Sequence, residues 1–242
     1  MHVQNTTALV TGANRGIGRT LVDALLDAGA AKVYATARRL DSLNDVHPGD
    51  DRVARLALDL ADETSIQAAA GDAKDARLII NNAGVLHGGS FLEAPDDEIR
   101  ADMETNYFGA LRVARAFAPN LIAHGGGAFA NLNSVVSLAS MPSIGGYSAS
   151  KAAAHSLTLA LRGELAPRNI EVIGIYPGPI ETDMTKDFDF ETFSVAATAK
   201  NIVAGINAGE QSVFPDPFAE NTRDTWRAGP ETLQNQFAGI EH

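Results

Sequence analysis

The 242-residue chain has no cysteine, which excludes disulfides and thiolate metal sites. It also lacks any run close to the ~18 uninterrupted apolar residues of a membrane span. The opening Met1–Thr7 carries no basic stretch followed by an apolar one, so no secretory signal is expected. Positive charge is scarce: 19 Lys and Arg stand against 30 Asp and Glu, a formal charge of −11. That balance argues against broad nucleic-acid binding, because phosphate contacts require a positive face. Internal repeats, low-complexity tracts and linkers are missing as well. The expectation is a cytoplasmic protein with a small-molecule partner, without nucleic acid, membrane or metal.

What is present is a large stock of core-forming residues, 45% of the chain, arranged as short apolar runs alternating with helical patterns. The runs fall at Thr7–Thr11, Lys32–Thr36, Val53–Leu58, Arg77–Asn81, Ala128–Asn133 and Ile170–Ile175, with a last short one near Val213. Between them, 3.6-residue periodicity predicts helices after Gly16, over Glu63–Ala70, from Asp96 to Ala123 with a break near Thr105, over Tyr147–Leu165 and over Ala196–Asn207. Gly29 is placed to close the first helix. Strands alternating with helices imply a single α/β domain spanning 1–242. Its fold class is a Rossmann-like, doubly wound parallel sheet of about seven strands with helices on both faces. Residues 180–210 are expected to form a substrate lid, and the polar tail 216–242 is left unassigned. Right-handed crossovers put all strand ends on one rim, so chemistry should sit just after strands.

It does. Thr11-Gly12-Ala13-Asn14-Arg15-Gly16-Ile17-Gly18 joins the first strand to the first helix. Gly12 allows a sharp turn, Gly16 a close approach to a diphosphate, and Gly18 tight helix–strand packing. The helix N-terminus offers free N–H groups to an anion. A glycine cluster is also what a plain tight turn would show; its place between first strand and first helix favours cofactor binding. An acid that would bond a ribose 2′-hydroxyl is missing after the second strand, where Thr36-Ala37-Arg38-Arg39 stands instead. Arg38 can pair with a 2′-phosphate, with Arg15 as a second cation, which points to NADP(H). The plainer alternative is a pair of solvated surface arginines.

Tyr147 and Lys151 lie four apart on one helix face. A nearby ammonium favours the phenolate and so lowers the tyrosine pKa toward usefulness as an acid–base. Tyr-x-x-x-Lys alone proves nothing. Ser134, thirteen residues before Tyr147 at the end of the fifth strand, offers a hydroxyl for a carbonyl oxygen; Ser137 is its rival.

With these residues in register, the chain from about Thr6 to Thr182 resembles the main short-chain dehydrogenase/reductase family. The motifs follow its order: Thr11 to Gly18, Asp59, Asn81-Asn82-Ala83-Gly84, Asn106, Ser134, Tyr147-Ser-Ala-Ser-Lys151 and Pro177-Gly178. The resemblance implies a catalytic set of Asn106, Ser134, Tyr147 and Lys151, with Asn106 anchoring a water that links Lys151 to solvent. It implies Asp59 and Leu60 at the adenine, Asn82 to Gly84 beneath the cofactor's centre, and Ile180 and Thr182 at the nicotinamide amide. A homodimer or homotetramer is implied too, with the Tyr147 helix and the preceding long one as its seam. One departure is Asn133, where many members carry a serine.

The implied activity is NADPH-dependent, reversible reduction of a carbonyl. Val136, Met141 and Ile144 are expected to line the substrate, with Met184, Phe188, Phe190 and Phe193 in the cover. These apolar side chains predict a neutral ketone or aldehyde. Two alternatives stand beside it: a reductase of 3-oxoacyl groups on a carrier protein, and a non-catalytic NADP(H)-sensing protein. His87 and His124 read as surface residues.

Overall fold

Seven short runs of apolar residues become seven parallel strands because each can be covered from both sides. The computed structural model describes residues 1–186, 189 and 191–240. The strands are β1 (Thr7–Val10), β2 (Lys32–Ala37), β3 (Val53–Ala57), β4 (Leu78–Asn81), β5 (Gly127–Leu132), β6 (Ile170–Ile175) and β7 (Ser212–Val213). They pair in the order β3-β2-β1-β4-β5-β6-β7, all parallel. The side chains alternate between two cores with the period of two that a strand imposes. Ala8, Val10, Leu78, Ile80, Ala128 and Ala130 pack on one face, while Leu9, Ile79 and Phe129 pack on the other. The order in which strands are added to the sheet reverses between β1 and β4, which opens a crevice above their C-terminal ends.

The helices are α1 (Gly16–Asp27), α2 (Glu63–Asp72), α3 (Asp96–Met103), α4 (Ala110–Ala123), α5 (Gly145–Leu165), α6 (Val195–Asn207), α7 (Pro217–Ala228) and α8 (Pro230–Ala238). Helices α1 and α6 cover the first face; α2 and α4 cover the second. The break near Thr105 is a π-helical turn, Glu104–Gly109, joining α3 to α4. Such wide turns often mark functional positions, and this one holds the buried Asn106. No helix among the described residues is long and apolar enough to cross a membrane.

Two expectations change. The lid assigned to 180–210 extends too far, because α6 belongs to the core: Ala199, Ile202 and Ile206 are fully buried among the side chains of β1, β5 and α1. Among the described residues, that leaves 182–186, 189 and 191–192 of the expected lid, next to the bridge at which Ile180 pairs with Phe193. The unassigned tail is two helices. Asp216 caps α7 by accepting from the Ala219 N–H (2.9 Å), and Pro217 and Pro230 occupy first turns. Both are ordinary helix-start signals, hidden by the polarity of the residues that follow. Phe188 and Phe190 lie outside the described residues.

If α6 is core, Ile202→Ala should cost about 2–5 kcal/mol, read as a lower urea midpoint. An unchanged midpoint would return α6 to the expected lid.

Candidate active site

The site is assembled from the turns that leave β1, β2, β3, β4, β5 and β6. Thr11 Oγ1 accepts the N–H groups of Asn82 and Ala83 (3.0 Å each), and Asn82 Nδ2 donates to the Thr11 carbonyl (2.8 Å). The turns after β1 and β4 are thereby tied into one floor. Gly12 is left-handed (φ +65°), a conformation disfavoured for residues with a Cβ. A Cβ on Gly18 would collide with the Gly12 carbonyl and the Asn82 amide. Helix α1 starts at Gly16 without a side-chain cap and without an acid in its first turn. Its free N–H groups and positive dipole end are therefore available to an anion. This cradle fits a dinucleotide diphosphate.

A cleft of about 1600 Å³ runs along the rim. It gathers Gly12, Asn14, Arg15, Gly16, Ile17 and Gly18 with Arg38, Asp59 and Leu60 at one end, and Asn82, Ala83 and Gly84 at its centre. Ser134, Val136, Met141, Ile144, Tyr147, Lys151, Pro177, Gly178, Ile180, Thr182 and Met184 complete it. Thr11 and Asn106 lie behind the wall, and Phe188 is outside the described residues. Arg38 has no ion pair or side-chain hydrogen bond among the described residues, whereas Arg39 is paired with Asp41 at 3.1 Å. Arg15, expected as a second cation for a 2′-phosphate, faces Asp183 across the cleft at 3.3 Å. Both partners are mostly exposed, so the pair is weak and open to exchange.

At the reactive end the two serines separate. Ser137 Oγ donates to the Ser134 carbonyl and is spent on the local turn; Ser134 lines the cleft beside Tyr147. Lys151 Nζ donates to the Leu132 carbonyl at 2.7 Å and lies 5.7 Å from the centre of the Tyr147 ring. Burial pushes the Lys151 ammonium down to about 8, opposed by the charge of Asp102. Burial also pushes the Tyr147 phenol above its ordinary value; Ser134 pulls it back and Asp102 pushes it further. The expectation that Lys151 lowers the Tyr147 pKa therefore fails here. Desolvation leads the shift, and the Lys151 ammonium is engaged at the Leu132 carbonyl. Tyr147 therefore keeps its phenolic proton at neutral pH.

Asn106 is a brace. Its Oδ1 accepts from the Val85 N–H (3.0 Å), and its Nδ2 donates to the Val85 carbonyl (2.9 Å) and to Ser150 Oγ (2.9 Å). Ser150 in turn donates to the Tyr147 carbonyl at 2.7 Å. The strand-end loop and α5 are thus bound through one side chain. Gly84 leaves the gap between Asn106 and Lys151: a Cβ there would sit 2.8 Å from Asn106 Oδ1 and 3.6 Å from Lys151 Nζ.

Sequence reasoning missed the far wall. Phe218 of α7 lines the cleft, packed with Met141, Ile144 and Phe237. Gln234 of α8 accepts from the Ser140 N–H (3.1 Å) and donates to the Ser140 carbonyl (3.2 Å), clamping the helix pair onto the loop before α5. Asp216 Oδ2 accepts from the Gly178 N–H at 2.9 Å, fixing the start of α7 to the turn after β6. His87, expected on the surface, is paired with the buried Asp102 at 2.8 Å.

The family model for short chain dehydrogenase matches residues 6–191. D-erythrulose reductase of Gallus gallus is 36% identical over 180 residues, 73% of this chain and 72% of that protein. The 3-oxoacyl-[acyl-carrier-protein] reductase FabG of Vibrio harveyi is 31% identical over 210 residues, 85% of each chain. The uncharacterized oxidoreductase YusZ of Bacillus subtilis is 35% identical over 187 residues, 73% of this chain and 66% of that protein. A crystal structure of a short chain dehydrogenase from Burkholderia cenocepacia, in complex with NADP, superposes with a TM-score of 0.91 at 39% identity, covering 98% of this chain and 99% of that one. Family match, strand order and strand-end residues agree: the chain belongs to the short-chain dehydrogenase family of oxidoreductases.

Proposed function

We propose that this chain is an NADPH-dependent reductase of neutral, largely apolar ketones or aldehydes, reversible as an alcohol dehydrogenase. The observation that carries the reading is one continuous cleft, with Arg38, unpaired among the described residues, and the uncapped α1 at one end and the buried Ser134, Tyr147 and Lys151 at the other. The Burkholderia relative's NADP complex supports the cofactor choice. When bound, the nicotinamide supplies the hydride. Ser134 and Tyr147 hold the carbonyl oxygen, and Tyr147 donates the proton that its burial has kept on the phenol. Lys151 would hold the ribose hydroxyls, with Asn106 and water carrying the replacement proton from solvent. The substrate wall of Val136, Met141, Ile144 and Phe218 offers no cation to a carboxylate, and an unpaired charge there costs several kcal/mol to desolvate. Reduction on an acyl carrier draws support from the Vibrio relative, yet Glu181 and Glu191 line the cleft along with Lys186, and an acidic carrier would meet like charge there. Assembly as a dimer or tetramer would cover the part-exposed Phe108 and Leu159 beside and on the long helices.

NADPH should bind more tightly than NADH by about tenfold or more, each charge-assisted contact being worth roughly 1.5–3 kcal/mol. Ala37→Asp with Arg38→Leu should reverse the order, as measured by fluorescence titration; equal affinities in the unaltered protein would sink the NADP assignment.

Tyr147→Phe should abolish turnover while NADPH still binds, and Lys151→Ala should lose both. A Tyr147→Phe protein with most of its rate intact would remove Tyr147 from the reaction. Unaltered protein without turnover on any carbonyl would favour a sensing role.

For substrate, kcat/KM should be higher for a neutral ketone than for its carboxylate analogue, and Phe218→Ala should lower it for bulky ketones. A preference for the carboxylate that vanishes in Lys186→Ala would overturn this view of the pocket.

A further inference from the structure

Behind the reactive wall lies a carboxylate that the reaction as proposed does not use. Asp102, in the last turn of α3, is 1% exposed. One oxygen accepts from the His87 backbone N–H (3.2 Å) and meets His87 Nδ1 (2.8 Å); the other has no hydrogen-bond partner among the described residues. A buried carboxylate with half its capacity unmet is costly to keep, so its retention calls for a local role. Its surroundings name one. His87 ends the loop Gly84–His87, whose Gly84 abuts Lys151 Nζ and whose Val85 is gripped by Asn106. Helix α3 is packed onto α5 with Ile99 against Gly146, beside Tyr147. The charged groups acting on Asp102 are His87 and Lys151, and the one acting on Lys151 is Asp102. Glu104, on the adjoining π-turn, is held by Arg112 at 2.6 Å.

We infer that Asp102, steadied by His87, is a positioning residue whose carboxylate is the buried counter-charge that keeps Lys151 an ammonium. The inference rests on the role proposed for Lys151. A carboxylate here raises the proton affinity of Lys151 and of Tyr147 together. Both changes extend the pH range in which the donor tyrosine and the ammonium coexist. Burial pushes the Asp102 carboxyl itself upward and His87 pulls it back, so the histidine keeps the counter-charge in place.

The chain has only five lysines, so Lys151 can be followed directly by NMR in protein carrying 13C-labelled lysine, with Lys151→Arg to assign the signal. In the unaltered protein Lys151 should titrate near 8. In Asp102→Asn, which keeps the shape and an acceptor for His87, the midpoint should fall by about half a unit or more. Asp97→Asn, an exposed acid removed from the same helix, should leave it unmoved. The alkaline limb of NADPH-dependent reduction should slide to lower pH in Asp102→Asn by a matching amount. An unchanged Lys151 midpoint in Asp102→Asn, or a limb that stays put while the midpoint moves, overturns the inference. Should Asp102→Asn not fold, His87→Arg sets a guanidinium against the carboxylate and should shift the midpoint the same way; no shift there overturns it equally. Absence of turnover in the unaltered protein would defeat the proposed reaction instead, and the NMR titration would still decide whether Asp102 charges Lys151.

Discussion

Two turns held to each other by Thr11 and Asn82 support everything that follows in this molecule. Thr11 gives its hydroxyl oxygen to two backbone N–H groups of the neighbouring turn, and Asn82 returns an N–H to the Thr11 carbonyl. The tie lies where the order of strand addition reverses, between β1 and β4. Without it the glycine loop and the strand-end loop could drift apart, because glycines impose little of their own geometry. With it, the Gly12 turn, the start of α1 and the Gly84 loop form one surface. The cofactor cradle and the reactive end therefore share a floor, and the distance between them is set by strand pairing, which deforms little.

The reactive end depends on burial as much as on placement. Removing water drives both Tyr147 and Lys151 toward their neutral forms, the phenol upward and the ammonium downward. For proton donation the first shift is useful and the second is a hazard. The Ser134 hydroxyl and the Asp102 carboxylate act on Tyr147 in opposite directions, the first lowering and the second raising its proton affinity. Asn106 holds the frame, joining the loop after β4 to α5 through Val85 and Ser150. The π-turn that carries Asn106 widens the helix where its side chain must reach two elements at once.

The end of the cleft beyond Tyr147 is closed by late parts of the chain. Helices α7 and α8 return across the rim and are fastened at two points, Asp216 to Gly178 and Gln234 to Ser140. Between those points the rings of Phe218 and Phe237 stack at 6.2 Å and press on Met141 and Ile144. A part of the pocket's apolar wall, Phe218, thus comes from a segment whose own sequence is largely polar.

By itself the sequence determined the sheet, the glycine loop and the Tyr147–Lys151 face, because each is a local pattern: alternation and continuous apolar runs for strands, glycines at a turn, a four-residue spacing on a helix. Arg38 was legible for the same reason, by its position one residue past β2. Only the tertiary structure decided that α6 is core, since a helix apolar on one side looks the same whether it covers a sheet or a substrate. The tail offers no assignable pattern in sequence because its helices have few apolar residues, and only Phe218 and its neighbours, meeting a distant loop, show what they cover. The partnership of His87 with Asp102 spans two elements, and no spacing along the chain announces it. The direction of the Tyr147 and Lys151 shifts was likewise beyond the sequence: a four-residue spacing says that two groups share a face, but how much water reaches that face depends on everything packed around it.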